Sequence, residues 1–146
     1  MTAHPLSAAF PQLTADQLKK ISDIGEDITI KKGSVLLLEG HRAEALYIIS
    51  DGVADLIKHL AEIEIVVAEI KAGELVGEMS LSGDFPASAT VKAATDMAVI
   101  KIDKSRLMML LEENTALGMA IFRSIASTLA RRLLQITERF AFLRMT

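Results

Sequence analysis

The chain has 146 residues, with no Cys, no Trp, three His and a formal charge of −3. That length fits one domain with a core of its own, and 51% apolar against 24% charged residues argues against disorder. Lack of cysteine excludes a disulfide scaffold, thiol catalysis and a thiolate zinc site. No apolar run reaches the ~18 residues of a membrane span, and Met1 to Pro5 show no secretory pattern, so the expected location is the cytoplasm, with no membrane partner.

Thr14 with Gln17 three residues on, and Leu18 and Ile21 at helical spacing, predict a short helix over residues 14–23, the core of a helical part at 14–25. From Asp27 to Ile102 the period changes. Short β-rich runs at 27–30, 35–38, 46–49, 53–57, 63–67, around Val91 and at 98–102 alternate with turns at Gly33, Glu39-Gly40 and Asp51-Gly52. The Asp51-Gly52 pair between two such runs predicts a hairpin, because both central positions favour positive φ. Regular short strands and turns over residues 26–103 predict a sandwich or barrel-like roll.

After Asp103 the pattern is helical through residue 146. Asp103 caps a helix running to Leu111, and Asn114 or Thr115 starts the next. That second helix extends without proline from Ala116 to near Leu143, about 28 residues or roughly 42 Å. Ile121, Ile125, Leu129, Leu133, Ile136, Phe140 and Leu143 follow 4-4-4-3-4-3 spacing, the period of a packing seam. Phe122, Ala126, Ala130, Leu134 and Ala141 widen that face. One small roll does not cover so long and wide a face, which predicts a homodimer through this helix. Residues 1–103 carry 9 Lys/Arg against 16 Asp/Glu and residues 104–146 carry 7 against 3. The acidic part does not favour nucleic acid, and the basic part reads as a solvated helix face.

Catalysis finds little support. His4, His41 and His59 are isolated, as cupin-type metal chemistry does not allow. There is no nucleophile elbow and no Walker-type loop. One segment stands apart, Val76-Gly77-Glu78-Met79-Ser80-Leu81 followed after four residues by Pro86-Ala87-Ser88-Ala89-Thr90-Val91. A short helical turn at Met79-Ser80-Leu81 would present backbone N–H groups to an anion. Gly77 admits close approach to the backbone, Glu78 is an acceptor suited to a sugar hydroxyl, and the small residues after Pro86 bring in a second backbone segment. Together they read as a phosphate-and-sugar pocket.

The segment resembles the phosphate-binding cassette of the cyclic nucleotide-binding domain family, whose members include the catabolite activator protein. Gly33, Glu39-Gly40, Leu46-Tyr47-Ile48-Ile49 and Gly52 resemble the family's early hairpins. Ile70, Gly73 and Gly77 match its glycine spacing, and Ala130-Arg131-Arg132-Leu133 resembles its long helix. The likeness covers about residues 14–140. It implies one domain over 1–146: an eight-stranded β-roll, mainly β, with flanking helices and a long C-terminal dimerisation helix.

By position it implies ligand contacts at Gly77, Glu78, Met79, Ser80, Ala87, Ser88 and Ala89. Glu78 would face the ribose 2′-hydroxyl, and amides near Gly77, Ser88 and Ala89 with the Ser88 hydroxyl would face the cyclic phosphate. An adenine-contacting pair on the long helix falls at Ile136 and Thr137, of which only Thr137 keeps a hydroxyl. The family's phosphate-binding Arg is replaced by Ala87, which removes a charge-assisted fork. Arg42, Arg123, Arg131 and Arg132 are the arginines that stand as substitutes.

These residues lead to a non-enzymatic ligand-sensing module with no cofactor and no DNA-binding part, since the chain ends at Thr146. Binding of cAMP or cGMP is expected to be weakened, and the output to act on a separate protein partner. The alternatives are a ligand-independent dimerisation or interaction module on the same fold, and a sensor of a different small anion.

Overall fold

The computed structural model describes residues 4–145. Met1, Thr2, Ala3 and Thr146, and with them part of the N-terminal reading and both ends of the expected 1–146 domain, lie outside the described residues. In chain order the elements are α1 (Pro5–Ala9), α2 (Ala15–Ile24), β1 (Gly25–Ile30), β2 (Val35–Leu37), β3 (Ala45–Asp51), β4 (Ala54–Leu60), β5 (Ile63–Ile70), β6 (Leu75–Val76), α3 (Met79–Ser82), β7 (Thr90–Ala93), β8 (Met97–Asp103), α4 (Lys104–Glu113) and α5 (Thr115–Met145). The eight strands form two antiparallel sheets, ordered β1-β8-β3-β6 and β2-β7-β4-β5. This is the mainly β roll with flanking helices that the sequence pattern and the resemblance imply.

The central strands of the first sheet, β3 and β8, are buried on both faces, which explains why they read as mostly apolar runs, interrupted in β8 by Lys101. Their pleat sends alternate side chains to opposite sides. Leu46 and Ile48 of β3 and Ile100 and Ile102 of β8 join Phe10, Ile21, Leu107, Leu117, Ile121 and Ile125 in a core under the helices. Ile49 of β3 and Met97 and Val99 of β8 face Ala54, Ile70, Val76 and Val91 inside the roll. Thr14 and Gln17 form the predicted reciprocal cap of α2, and the Asp103 carboxylate accepts from the Arg106 amide to start α4.

Three features depart from the sequence reading. Helix α1 and strand β6 were not predicted; at five and two residues they are too short to show a period. Asp51-Gly52 is not a hairpin. Strand β3 pairs with β6 and β8, whereas β4 pairs with β5 and β7, so the chain passes here from one sheet to the other. Gly52 has φ of +92°, and a Cβ there would lie 2.5 Å from the Asp96 carbonyl oxygen. The glycine therefore serves a positive φ, as its type suggests, and also the close approach of the β7–β8 turn. The tight hairpin is at Ala61-Glu62, where Leu60 pairs with Ile63 and Ala61 takes a left-handed φ of +57°.

Helix α5 is continuous for 31 residues, about 46 Å. Ile121 and Ile125 are fully buried, and Leu129 is partly buried against the same core. Further on, Leu133, Leu134, Ile136, Phe140 and Phe142 are all more than half exposed. Among the described residues no helix is long and apolar enough to cross a membrane.

Candidate functional site

Strand β6 delivers the chain to the site. After Val76 the backbone turns at Gly77 with φ of +94°, and a Cβ there would lie 2.6 Å from the Ala45 carbonyl oxygen at the start of β3. Only glycine satisfies both conditions. The turn tucks Glu78 inward, 3% exposed, and leads into the single turn of α3. The Ser80 hydroxyl donates to the Gly77 carbonyl at 2.8 Å, and the Leu81 amide to the Glu78 carbonyl at 3.1 Å, which fastens this first arm to itself.

The second arm, residues 84–89, lies opposite. The Gly40 amide donates to the Ala87 carbonyl and the Ala87 amide to the His41 carbonyl, both at 2.8 Å. Position 87 thus uses its main chain to hold the loop between β2 and β3. Lys58 reaches from β4 to the Ser88 carbonyl at 3.0 Å and to Glu39 at 3.3 Å. Glu39 also accepts from the His59 amide at 3.1 Å, which with Lys58 holds its carboxyl below the usual carboxylate range.

The two arms meet around one cavity of about 50 Å³. Gly77, Glu78, Met79 and Ser80 line it from one side and Ala87, Ser88 and Ala89 from the other, with Phe85, Leu37 and Leu56 among its apolar walls. Seven of the eight ligand-contact candidates therefore share one space. Thr137 does not: it is exposed, and its hydroxyl donates to the Leu133 carbonyl of its own helix at 2.8 Å. The reason is helical geometry, since Thr137 lies about 140° around α5 from the residue that does enter the cavity.

That residue is Arg132, reached from more than fifty positions away in sequence. Its guanidinium donates to the Glu78 carboxylate through Nη1 and to the Leu75 carbonyl through Nη2. Burial pushes the Glu78 carboxyl above its ordinary value, and the Arg132 charge pulls it back only in part. The other substitute arginines are elsewhere. Arg42 forms an exposed pair with Asp84, Arg123 lies along the outer surface of α5 near Met119, and Arg131 borders a neighbouring polar cavity. Sequence reasoning named Arg132 only as one of four, because a helix period does not say which of two adjacent arginines meets the roll.

His59 is less isolated than its sequence context implies. Its Nε2 lies 3.2 Å from Glu64 and its Nδ1 3.6 Å from Glu39. Among the described residues, however, no cluster of three His, Cys, Asp or Glu suits a metal ion.

A family model described as a cyclic nucleotide-binding domain matches residues 27–114. The cAMP-dependent protein kinase regulatory subunit of Aspergillus niger is 34% identical over 92 residues, 63% of this chain and 22% of that protein. The subunit of the same description from Eremothecium gossypii is 35% identical over 92 residues, 63% of this chain and 19% of that protein. The chain thus spans about a fifth of the length of these curated relatives. Among solved structures, a cyclic nucleotide-binding domain from Methylobacillus flagellatus aligns with a TM-score of 0.87 at 21% identity, covering 98% of this chain and 83% of that one. The Thermus thermophilus catabolite activator protein aligns at 0.77 and 24% identity, covering 94% and 63%. At these identities the structural likeness is one of fold.

Proposed function

The chain belongs to the cyclic nucleotide-binding domain family, and from that premise we propose that it is a non-enzymatic sensing module. Its roll takes cAMP or cGMP weakly, and its long helix passes the event to a second copy of the chain and to a separate protein partner. The observation that carries this reading is the convergence of the two arms, from 77–80 and 87–89, on one cavity with the Glu78 carboxylate inside it. Glu78 is the acceptor for the ribose 2′-hydroxyl, and the backbone near Gly77, Ser88 and Ala89 faces the cyclic phosphate.

Ala87 sets the strength. Loss of a guanidinium partner from a buried phosphate costs about 2–5 kcal/mol, roughly 30- to several-thousand-fold in affinity. Isothermal titration of the unmodified protein with each nucleotide is expected to give dissociation constants near the millimolar range, and Ala87→Arg to tighten them at least tenfold. Absence of heat from both proteins with both nucleotides would overturn the reading. The dimer rests on Leu133, Ile136 and Phe140, which stay exposed at seam spacing, and on exposed Leu134 of the adjoining stripe.

A second reading, a ligand-independent dimerisation module, is favoured by the size of the cavity. Its volume of about 50 Å³ falls well below the roughly 300–1,000 Å³ of small-molecule sites. Binding by Ala87→Arg alone would show an intact pocket that has lost its cation and would favour this second reading.

A further inference from the structure

The second arm is fastened at three places, and two of them belong to the loop between β2 and β3. Arg42 pairs with Asp84 at 2.8 Å, and the 40–41 main chain takes both polar groups of Ala87. The third fastening comes from a strand. Pairing of β4 with β7 sets Leu56 opposite Val91 and Ile57 opposite Thr90. Leu56 and Val91 line the cavity, and Lys58, two residues on from Leu56, leaves β4 on that same side. Its ammonium donates to the Ser88 carbonyl at 3.0 Å and to Glu39 at 3.3 Å. The Lys58 and Glu39 side chains are 42% and 23% exposed, a setting in which an ion pair adds little to folding stability. What the lysine does fix is the direction of a peptide.

The C=O and N–H of one trans peptide point opposite ways, and the described residues contain no cis peptide. With the Ser88 carbonyl turned to Lys58, the Ala89 N–H is turned away from it. Ala89 is 7% exposed and lines the cavity, yet its amide donates to no acceptor among the described residues. The Ser88 amide donates to none either. Buried N–H groups without a partner are rare in folded proteins, and such a group marks a place for an acceptor. Resting on the reading that a cyclic nucleotide enters here, we propose that Lys58 is a positioning residue for its phosphate. By holding the Ser88 carbonyl, Lys58 keeps the Ala89 amide free and aimed for a phosphate oxygen. It does so from one residue beyond Ala87, where the side chain carries no cation, and it acts through the main chain rather than as a ligand to the phosphate.

The test uses the full chain and titrates cAMP into Ala87→Arg, which the cyclic-nucleotide reading requires to bind, and into the same protein carrying Lys58→Met or Lys58→Arg as well. Lys58→Met keeps the length of the stem and removes the charged donor, whereas Lys58→Arg keeps a charged donor. Positioning predicts about tenfold weaker binding with Lys58→Met, the scale of one charged hydrogen bond, and affinity kept within about threefold with Lys58→Arg. Without nucleotide it predicts that backbone order parameters at Ser88 and Ala89 fall from about 0.85 to below about 0.6 in Lys58→Met and stay high in Lys58→Arg. Equal affinities with and without Lys58→Met, or a weakening that Lys58→Arg does not restore, would overturn the role. Order parameters that Lys58→Met leaves unchanged would overturn it as well, whether or not nucleotide binds. Absence of cAMP binding by every protein overturns instead the cyclic-nucleotide reading, and the order parameters then decide by themselves whether Lys58 sets the arm.

Discussion

Helix α5 carries one apolar seam through two different environments. From Leu117 to Ile125 the seam is sealed against α4 and the first sheet; from Leu133 to Phe140 the same spacing meets solvent. The period of a helix therefore states which side is apolar and not what lies against it. In the first half the answer is the chain's own core. In the second it is held to the roll by polar contacts, Arg132 on Glu78 and Leu75 and Arg139 on Val67, and its apolar residues await a neighbour, for which a second copy is the proposed occupant.

The contrast is broken most directly in the first half. Ile121→Ala removes a fully buried side chain and is expected to cost about 2–5 kcal/mol of folding stability in urea denaturation. A loss below 1 kcal/mol would mean that this half is no better anchored than the other. In the second half the corresponding change acts on assembly. Leu133→Asp is expected to weaken self-association by about 2 kcal/mol or more, read by light scattering across a dilution series, while folding stability stays within about 0.5 kcal/mol. An unchanged assembly state would remove the dimer.

The smallest effect concerns the tie between the two regions. The Glu78 carboxyl titrates above its ordinary value in the fold, so its protonated form contributes stability that is present in acid. That contribution is lost as pH rises through the raised value. Glu78→Gln lacks this titration. The unmodified protein is therefore expected to gain on the variant as pH falls from the raised value towards the ordinary one. The opposite slope would show that the Arg132 pair outweighs desolvation.

Much of this arrangement was legible in the residues. The cap of α2 rests on Thr14 and Gln17 alone, and Gly77 in the cassette-like segment carries its own turn chemistry, so local sequence specified local structure. What escaped depends on distant partners. Asp51-Gly52 announces a positive φ, but the strand that β3 chooses, β8, lies about fifty residues away, and no local signal names it. The Ala61-Glu62 hairpin has neither Gly nor Asn to mark it. Arg132 and Arg131 are indistinguishable until the azimuth of α5 on the roll is known, and Thr137 was placed by alignment where rotation around the helix takes it away.

Strand β3 is clamped at both tips by main chain pressing on glycine, Gly77 against its first residue and Gly52 against the turn beyond its last. Those clamps are separated by roughly 20 Å of extended chain. A side chain at either glycine would force main chain apart at one end of β3, so the strand keeps its neighbours at both ends only while those two positions stay bare.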